Sequence, residues 1–102
     1  MENTLELARE IKNQLKKKIS LEKLILIGNA DKKIAFNSEL DFVVVVNDKL
    51  DKFEFVNITS ELAVDCISKY KIMIQFFPIH KMNFQLKSTA FIRSIKKNGI
   101  EI

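Results

Sequence analysis

Two short, strongly apolar runs constrain the fold of this chain more than any other feature. The first covers Leu24–Ile27 and the second covers Leu40–Val46. Each run has the length of a buried strand. The first has no polar break, so we expect it to be covered on both faces. The second is the most hydrophobic run, and we expect it to be the central strand. Gly28-Asn29 ends the first run, and glycine there allows a turn or the close approach of a ligand. Residues 24–46 are therefore expected to form the centre of a sheet.

The remaining elements are predicted from periodicity. A first helix is expected from apolar residues at helical spacing, which are Leu5, Ala8, Ile11, Leu15 and Ile19. A second helix is expected to begin at Asp51, and its buried face is predicted to contain Val56, Thr59, Ala63, Cys66, Ile67 and Tyr70. Cys66 on this face is interpreted as a packed core thiol.

The last third of the chain predicts one more strand and one more helix. The strand is expected at Ile72–Ile79, where Pro78 marks its end or an edge of the sheet. His80 follows and is interpreted as a surface or capping residue. A helix over Ala90–Lys97 should be capped by Ser88 or Thr89 and closed by Asn98-Gly99. This order of elements predicts one α/β domain over residues 1–102, with a small mixed sheet flanked by helices.

Composition excludes several classes of protein. Hydrophobic residues make up 47% of the 102 residues, which excludes a disordered chain. No run reaches the ~18 apolar residues of a membrane span, and the first residues lack a signal peptide's basic lead. The single cysteine excludes an intrachain disulfide. We therefore expect a cytoplasmic protein, whose net charge of +4 permits acidic, nucleotide or RNA partners without selecting one.

The strongest candidate for chemistry is a pair of acids at the start of the second apolar run. Glu39 and Asp41 are two positions apart, so in a strand their side chains leave the same face. Like charges this close repel, which favours either a shared proton or a bound cation. Carboxylate oxygens at the end of a strand suit Mg²⁺, which is often held by one or two carboxylates together with substrate phosphates. The alternative is that both acids are simply the solvated start of a strand.

Two segments of the chain resemble a known family. Gly28-Asn29, nine further residues and then Glu39-Leu40-Asp41 resemble the Gly-Ser…Asp-x-Asp motif of the DNA polymerase β-like nucleotidyltransferases. The closing segment 90–102 is similar to the Phe-x-Arg-x-Ile-Lys-x-x-Gly-Ile ending of many minimal members. Small members of this kind are often the antitoxin halves of HEPN/MNT toxin–antitoxin pairs. The resemblance covers nearly the whole chain and implies a nucleotidyltransferase fold.

The resemblance also implies roles for individual residues. Glu39 and Asp41 would be the catalytic Mg²⁺ ligands of an enzyme that uses ATP. The nucleotide would be bound by residues of the preceding loop, namely Gly28, Asn29, Lys32, Lys33 and Ser38. Gln75 would stand at the position where the family usually has a third acid.

The chain departs from the family pattern at four places. Asn29 replaces the usual Ser, the second small residue is missing from a connector about one residue short, and Glu39 replaces the first Asp. Gln75 is neutral, so it is a weaker Mg²⁺ ligand than an acid and cannot act as a base.

Three hypotheses about function remain open. The favoured one is a Mg²⁺-dependent nucleotidyltransferase that adenylylates a protein partner such as a HEPN toxin. The second is a catalytically degenerate antitoxin of the same fold that acts by protein binding alone. The third is a small basic RNA-binding domain, which is disfavoured because the aromatic residues fall mostly at core positions. The apolar content also predicts that the chain binds a partner subunit or forms a homo-oligomer.

Overall fold

A computed structural model of the chain describes residues 4–27, 39–47 and 49–102. Its helices are α1 (Thr4–Lys16), α2 (Lys52–Tyr70), α3 (Lys81–Leu86) and α4 (Ala90–Asn98). Its strands are β1 (Leu21–Ile27), β2 (Glu39–Val46), β3 (Met73–His80) and β4 (Ile100–Glu101). The expected mixed α/β architecture with flanking helices is confirmed.

The four strands form one mixed sheet in the order β3-β2-β1-β4. β1 pairs with β2 and β4 in antiparallel fashion, whereas β2 and β3 run parallel and are joined by α2. The most apolar strand, β2, is therefore central, as its sequence predicted. β3 is an edge strand that continues through Pro78 to His80, so the expectation of an edge at this proline is confirmed.

Both faces of the sheet are covered by helices. On one face, α1 and α2 pack against alternate strand residues such as Leu24, Phe42 and Val44. On the opposite face, Phe84 of α3 and Ile92 and Ile95 of α4 pack on another set of strand residues, Ile25, Val43 and Val45. Residues 24–26 and 42–46 of the two apolar runs are thus buried, because helices cover them on both faces of the sheet.

The structure corrects the predicted face of α2. Its buried residues are Phe55, Thr59, Leu62 and Cys66, whereas Val56 and Ile67, which the spacing placed in the core, are 56% and 45% exposed. The helix carries apolar residues on two sides, so periodicity alone could not decide which side faces the sheet. Asp51 caps the helix as expected, with its carboxylate accepting from the N–H groups of Phe53 and Glu54.

Three further differences concern the ends of elements. β1 begins three residues earlier than its apolar run, since the exposed Glu22 hid the strand in the sequence. Neither α3 nor β4 was predicted, because each is too short to show a period. Gly99 ends α4 as expected, but with φ of −72°. It is required for space, because a Cβ at this position would lie 2.5 Å from Cγ2 of Ile25 and 2.6 Å from the carbonyl oxygen of Ile95.

Candidate functional site

Glu39 and Asp41 open β2 and leave the sheet on the same face. Both precede Val43 on the face that α3 and α4 cover farther along the strand. Two strand residues advance about 6.6 Å, so both carboxylates reach the space at the start of β2. Glu39 is exposed, whereas Asp41 is half-buried. The predicted acid pair therefore lies at one end of the sheet, between solvent and the core.

Gln75 lies directly beside this pair. In the parallel register of β2 and β3, Asp41 is opposite Gln75 and Glu39 is opposite Met73. Nε2 of Gln75 donates a hydrogen bond of 3.3 Å to Oε1 of Glu39. The structure thus brings together the two acids and the residue that the family resemblance assigned to the third position. The amide orients the Glu39 side chain and carries no charge of its own.

One oxygen of the pair is buried with no hydrogen-bond partner in the part of the chain that the structure describes. Oδ1 of Asp41 has less than 1 Å² of exposed surface, and no group among the described residues donates a hydrogen bond to it. A buried polar atom left in this way costs roughly 1–3 kcal/mol, so folded proteins normally provide it with a partner. A bound cation would supply that partner. Because of this oxygen, we expect Asp41, more than Glu39, to be the principal ligand of such a cation.

The donor set at this place suits Mg²⁺. Two carboxylates and an amide oxygen are hard oxygen donors of the kind that Mg²⁺ prefers, and water or substrate phosphates usually complete its shell. Within residues 4–27, 39–47 and 49–102, no group of three or more His, Cys, Asp or Glu side chains could hold a metal ion. A metal bound here would therefore depend on Asp41, Glu39 and oxygen atoms from a substrate.

The predicted nucleotide-binding residues fall in the segment between β1 and β2. Gly28, Asn29, Lys32, Lys33 and Ser38 all lie outside the described residues. β1 ends at Ile27, which is paired with Asp41. The described ends of this segment are therefore Ile27 and Glu39, both at the end of the sheet that carries the acids.

The outer side of the acid pair is open and partly apolar. Met73 and Phe77 flank Gln75 on the same face of β3, and their side chains are 56% and 40% exposed. Because β3 is an edge strand, a large ligand can approach the carboxylates across it. Sequence reasoning identified Gln75 here but not these two apolar neighbours, since alternation made them part of an ordinary strand.

A second candidate surface lies on α2. Phe53, Val56, Val64 and Ile67 follow one side of the helix and are 84%, 56%, 59% and 45% exposed. We call these four residues the α2 stripe. Helical periodicity did not predict this stripe, because it placed Val56 and Ile67 in the core. The sequence does indicate the stripe, because Phe53 and Val64 lie on the same side of the helix as Val56 and Ile67. A helix with one buried face cannot bury this side as well as the side that faces the sheet.

Two other singled-out residues have structural roles. Cys66 is buried between α1 and α2, and burial, followed by the charges of Glu10 and Asp65, raises the pKa of its thiol to about 11. It is therefore a packed core thiol, as predicted. Nδ1 of His80 accepts a 3.2 Å hydrogen bond from the N–H of Met82 and caps α3, as its position after a strand suggested. Neither residue belongs to the acid pair.

The comparisons with known proteins bear on the fold. No protein-family model matches the chain, and no curated protein matches it. Among solved structures, the chain is similar to the crystal structure of a toxin–antitoxin MntA–HpeT mutant with two aspartate-to-glutamate replacements. The TM-score is 0.61 at 21% identity, over 92% of this chain and 70% of the other. This similarity supports the nucleotidyltransferase-like fold expected from the sequence. In the described part of the chain, no helix is long and apolar enough to span a membrane.

Proposed function

We propose that this chain is an antitoxin of the minimal nucleotidyltransferase type that transfers AMP from ATP to a hydroxyl group of a toxin protein. The observation that carries the proposal is the acid pair at the start of β2, where the buried Oδ1 of Asp41 beside Gln75 has no hydrogen-bond partner among the described residues. The similarity to a toxin–antitoxin structure supports the choice of partner.

The proposed transfer assigns distinct tasks to the residues at this end of the sheet. A hydroxyl oxygen of the partner forms a bond to the α-phosphorus of ATP, the bond from that phosphorus to pyrophosphate breaks, and the hydroxyl proton passes to solvent or a carboxylate. Bound Mg²⁺ would neutralise the phosphate oxygens. Asp41 and Glu39 would hold the ion, and Gly28, Asn29, Lys32, Lys33 and Ser38 remain the proposed contacts to the nucleotide. Gln75 positions Glu39 through its hydrogen bond.

Gln75 should make the transfer slow. Its amide can neither accept the hydroxyl proton nor add a third negative charge at the metal. Loss of a group that moves a proton typically costs about 10²–10⁴ in rate. We therefore expect weak binding of Mg²⁺·ATP and slow AMP transfer in the natural chain.

The test is transfer of label from ATP carrying ³²P at the α-phosphate to the protein that copurifies with this chain. We expect Mg²⁺-dependent labelling that disappears in Asp41→Ala, whereas the exposed, distant Glu54→Gln should label like the natural chain. Calorimetry with a non-hydrolysable ATP analogue provides a second readout that needs no partner. An Asp41→Ala chain that binds the Mg²⁺–analogue complex with unchanged affinity would contradict the metal-site assignment.

A second candidate function is neutralisation of the toxin by binding alone. The α2 stripe favours it, because four large apolar side chains along one helix form the kind of exposed patch that marks protein–protein contacts. We expect Val64→Lys/Ile67→Lys to abolish complex formation with the copurifying protein while the chain stays folded. Glu54→Gln/Asp65→Asn is the matched control, since it makes the same change in net charge at two exposed positions of the same helix outside the stripe.

The labelling and binding experiments together distinguish the two proposed functions. AMP transfer predicts labelling that requires Asp41. Binding alone predicts no labelling, together with a complex that survives Asp41→Ala and is lost in the stripe variant.

A further inference from the structure

A crevice lies at the end of the sheet opposite the acid pair. After β2 the chain enters α2, which packs on the face of the sheet shared with α1. After the neighbouring parallel strand β3 it enters α3, whose Phe84 packs on the other face. The chain thus leaves two adjacent parallel strands toward opposite faces. In open α/β sheets, this arrangement creates a crevice outside the carboxyl ends of the strands, where ligands commonly bind.

The crevice has the size and composition of a ligand site. Its volume is about 450 Å³, which lies within the range of about 300–1,000 Å³ for small-molecule pockets. One part of its lining is apolar, and the other part is cationic or able to donate hydrogen bonds. The apolar residues are Val46, Leu50, Pro78 and Ile79, and the polar residues are Lys49, Lys52, His80 and Asn83.

The charge of the crevice favours an anion. Neither Lys49 nor Lys52 forms an ion pair in the part of the chain that the structure describes. The nearest described acid in sequence, Asp51, already accepts hydrogen bonds from the N–H groups of Phe53 and Glu54. Two ammonium groups on one connection are therefore without an acidic partner among the described residues.

His80 adds a directional donor. Because its Nδ1 accepts the N–H of Met82, the neutral ring carries its proton on Nε2. His80 is half-buried and ends β3, so its position is fixed by the strand and by the cap of α3. A fixed N–H donor in the same crevice as two ammonium groups suits the oxygen atoms of a phosphate.

We propose that this crevice is a second ligand site, which binds a small phosphomonoester attached to an apolar or heterocyclic body of about the size of a nucleoside. Lys49, Lys52 and His80 bind the phosphate, and Leu50, Pro78 and Ile79 contact the body. The site is separated from Glu39 by the length of β2, about 23 Å for seven residue steps. It does not depend on AMP transfer at the acid pair.

The experiment is a ¹⁵N–¹H NMR titration of the full chain in EDTA with AMP, adenosine and inorganic phosphate as separate probes. AMP should shift the amide signals of Leu50, Ile79, His80 and Asn83 and saturate at lower concentration than either other probe. Lys49→Gln/Lys52→Gln should raise the dissociation constant for AMP at least tenfold. Lys87→Gln/Lys97→Gln, which removes the same charge from two exposed positions outside the crevice, should leave it unchanged.

Several results would overturn the proposal. Absence of saturable shifts at the crevice residues would do so, as would equal binding of AMP and adenosine or an unchanged dissociation constant in Lys49→Gln/Lys52→Gln. The Asp41→Ala variant distinguishes AMP binding at the crevice from AMP binding at the acid pair. If it weakens AMP binding in EDTA as much as the lysine variant does, AMP is bound at the acid pair and the crevice assignment is wrong. Failure of AMP transfer has no bearing on this titration.

Discussion

Replacing Asp41 with valine should stabilise the metal-free chain. Valine suits a central strand whose same face already carries Val43 and Val45, and it removes the buried Oδ1 that lacks a partner among the described residues. The relieved penalty is roughly 1–3 kcal/mol. For a domain of about 100 residues, each kcal/mol corresponds to about 4–8 °C in melting temperature. We therefore expect Asp41→Val to melt at least about 4 °C above the natural chain in EDTA.

Mg²⁺ should reduce the difference in stability between Asp41→Val and the natural chain. A ligand that binds only the folded state stabilises it by RT ln(1 + [L]/Kd), which is about 1.4 kcal/mol when the free ion is tenfold above its dissociation constant. The natural chain should gain this stability, and Asp41→Val should gain none. Stability is measured by urea unfolding with EDTA and across a series of Mg²⁺ concentrations.

Glu22→Val is the matched control. It also replaces an acid in a strand with valine, but at an exposed position of β1. Its free energy of unfolding should therefore differ from that of the natural chain by no more than about 0.5 kcal/mol, and Mg²⁺ should stabilise both chains equally. An Asp41→Val chain that is less stable than the natural chain in EDTA would refute the reasoning, because it would show that Oδ1 is already compensated.

Three further predictions concern the core. Phe42 is fully buried and stacks on Phe76 with ring centroids 5.8 Å apart, so Phe42→Ala should lower the free energy of unfolding by about 3–5 kcal/mol in urea; a loss below 1 kcal/mol would contradict this packing. Gly99→Ala should cost about 1–3 kcal/mol in the same assay, because its Cβ would collide with Ile25 and with backbone at Ile95, and an unchanged stability would show that α4 shifts freely. The raised pKa of Cys66 means that the unfolded chain loses its thiol proton first, near the ordinary value of 9.0, whereas the folded chain keeps it to about 11. The free energy of unfolding, relative to that of Cys66→Ala, should therefore be constant below pH 9 and fall by up to about 3 kcal/mol by pH 11. A relative free energy that does not change between pH 9 and pH 11 would contradict the raised pKa.

The centre of the fold was predictable because its signals are local. Leu24–Ile27 has no polar residue and Leu40–Val46 has only Asp41, near its start, so burial of the apolar residues on both sides of the sheet followed from these two runs. Pro78 likewise restricted its strand to an edge, where the structure places it. The acid pair shared a face because strand periodicity requires it, and Gln75 was placed beside it by the family resemblance.

The surfaces were less predictable because they depend on which elements meet. α2 has apolar side chains on two sides, and only packing against the sheet selects Phe55 and Leu62 over Val56 and Ile67. The crevice brings Lys49 and Lys52 close to His80, some thirty positions away in sequence, through the parallel pairing of β2 and β3. No local period encodes such a juxtaposition.

Pro78 also has a consequence for aggregation. Among the described residues, the sheet has one long edge, β3, and an opposite edge whose outermost strand, β4, has only two residues. An exposed edge strand can template pairing with other chains, and natural proteins counter this hazard by shortening the edge or by placing proline in it. Here β4 is short, and Pro78 contributes no N–H donor to either side of β3. A strand as apolar as Val43–Val46 is thus kept inside a sheet whose two borders are poor templates for fibril growth.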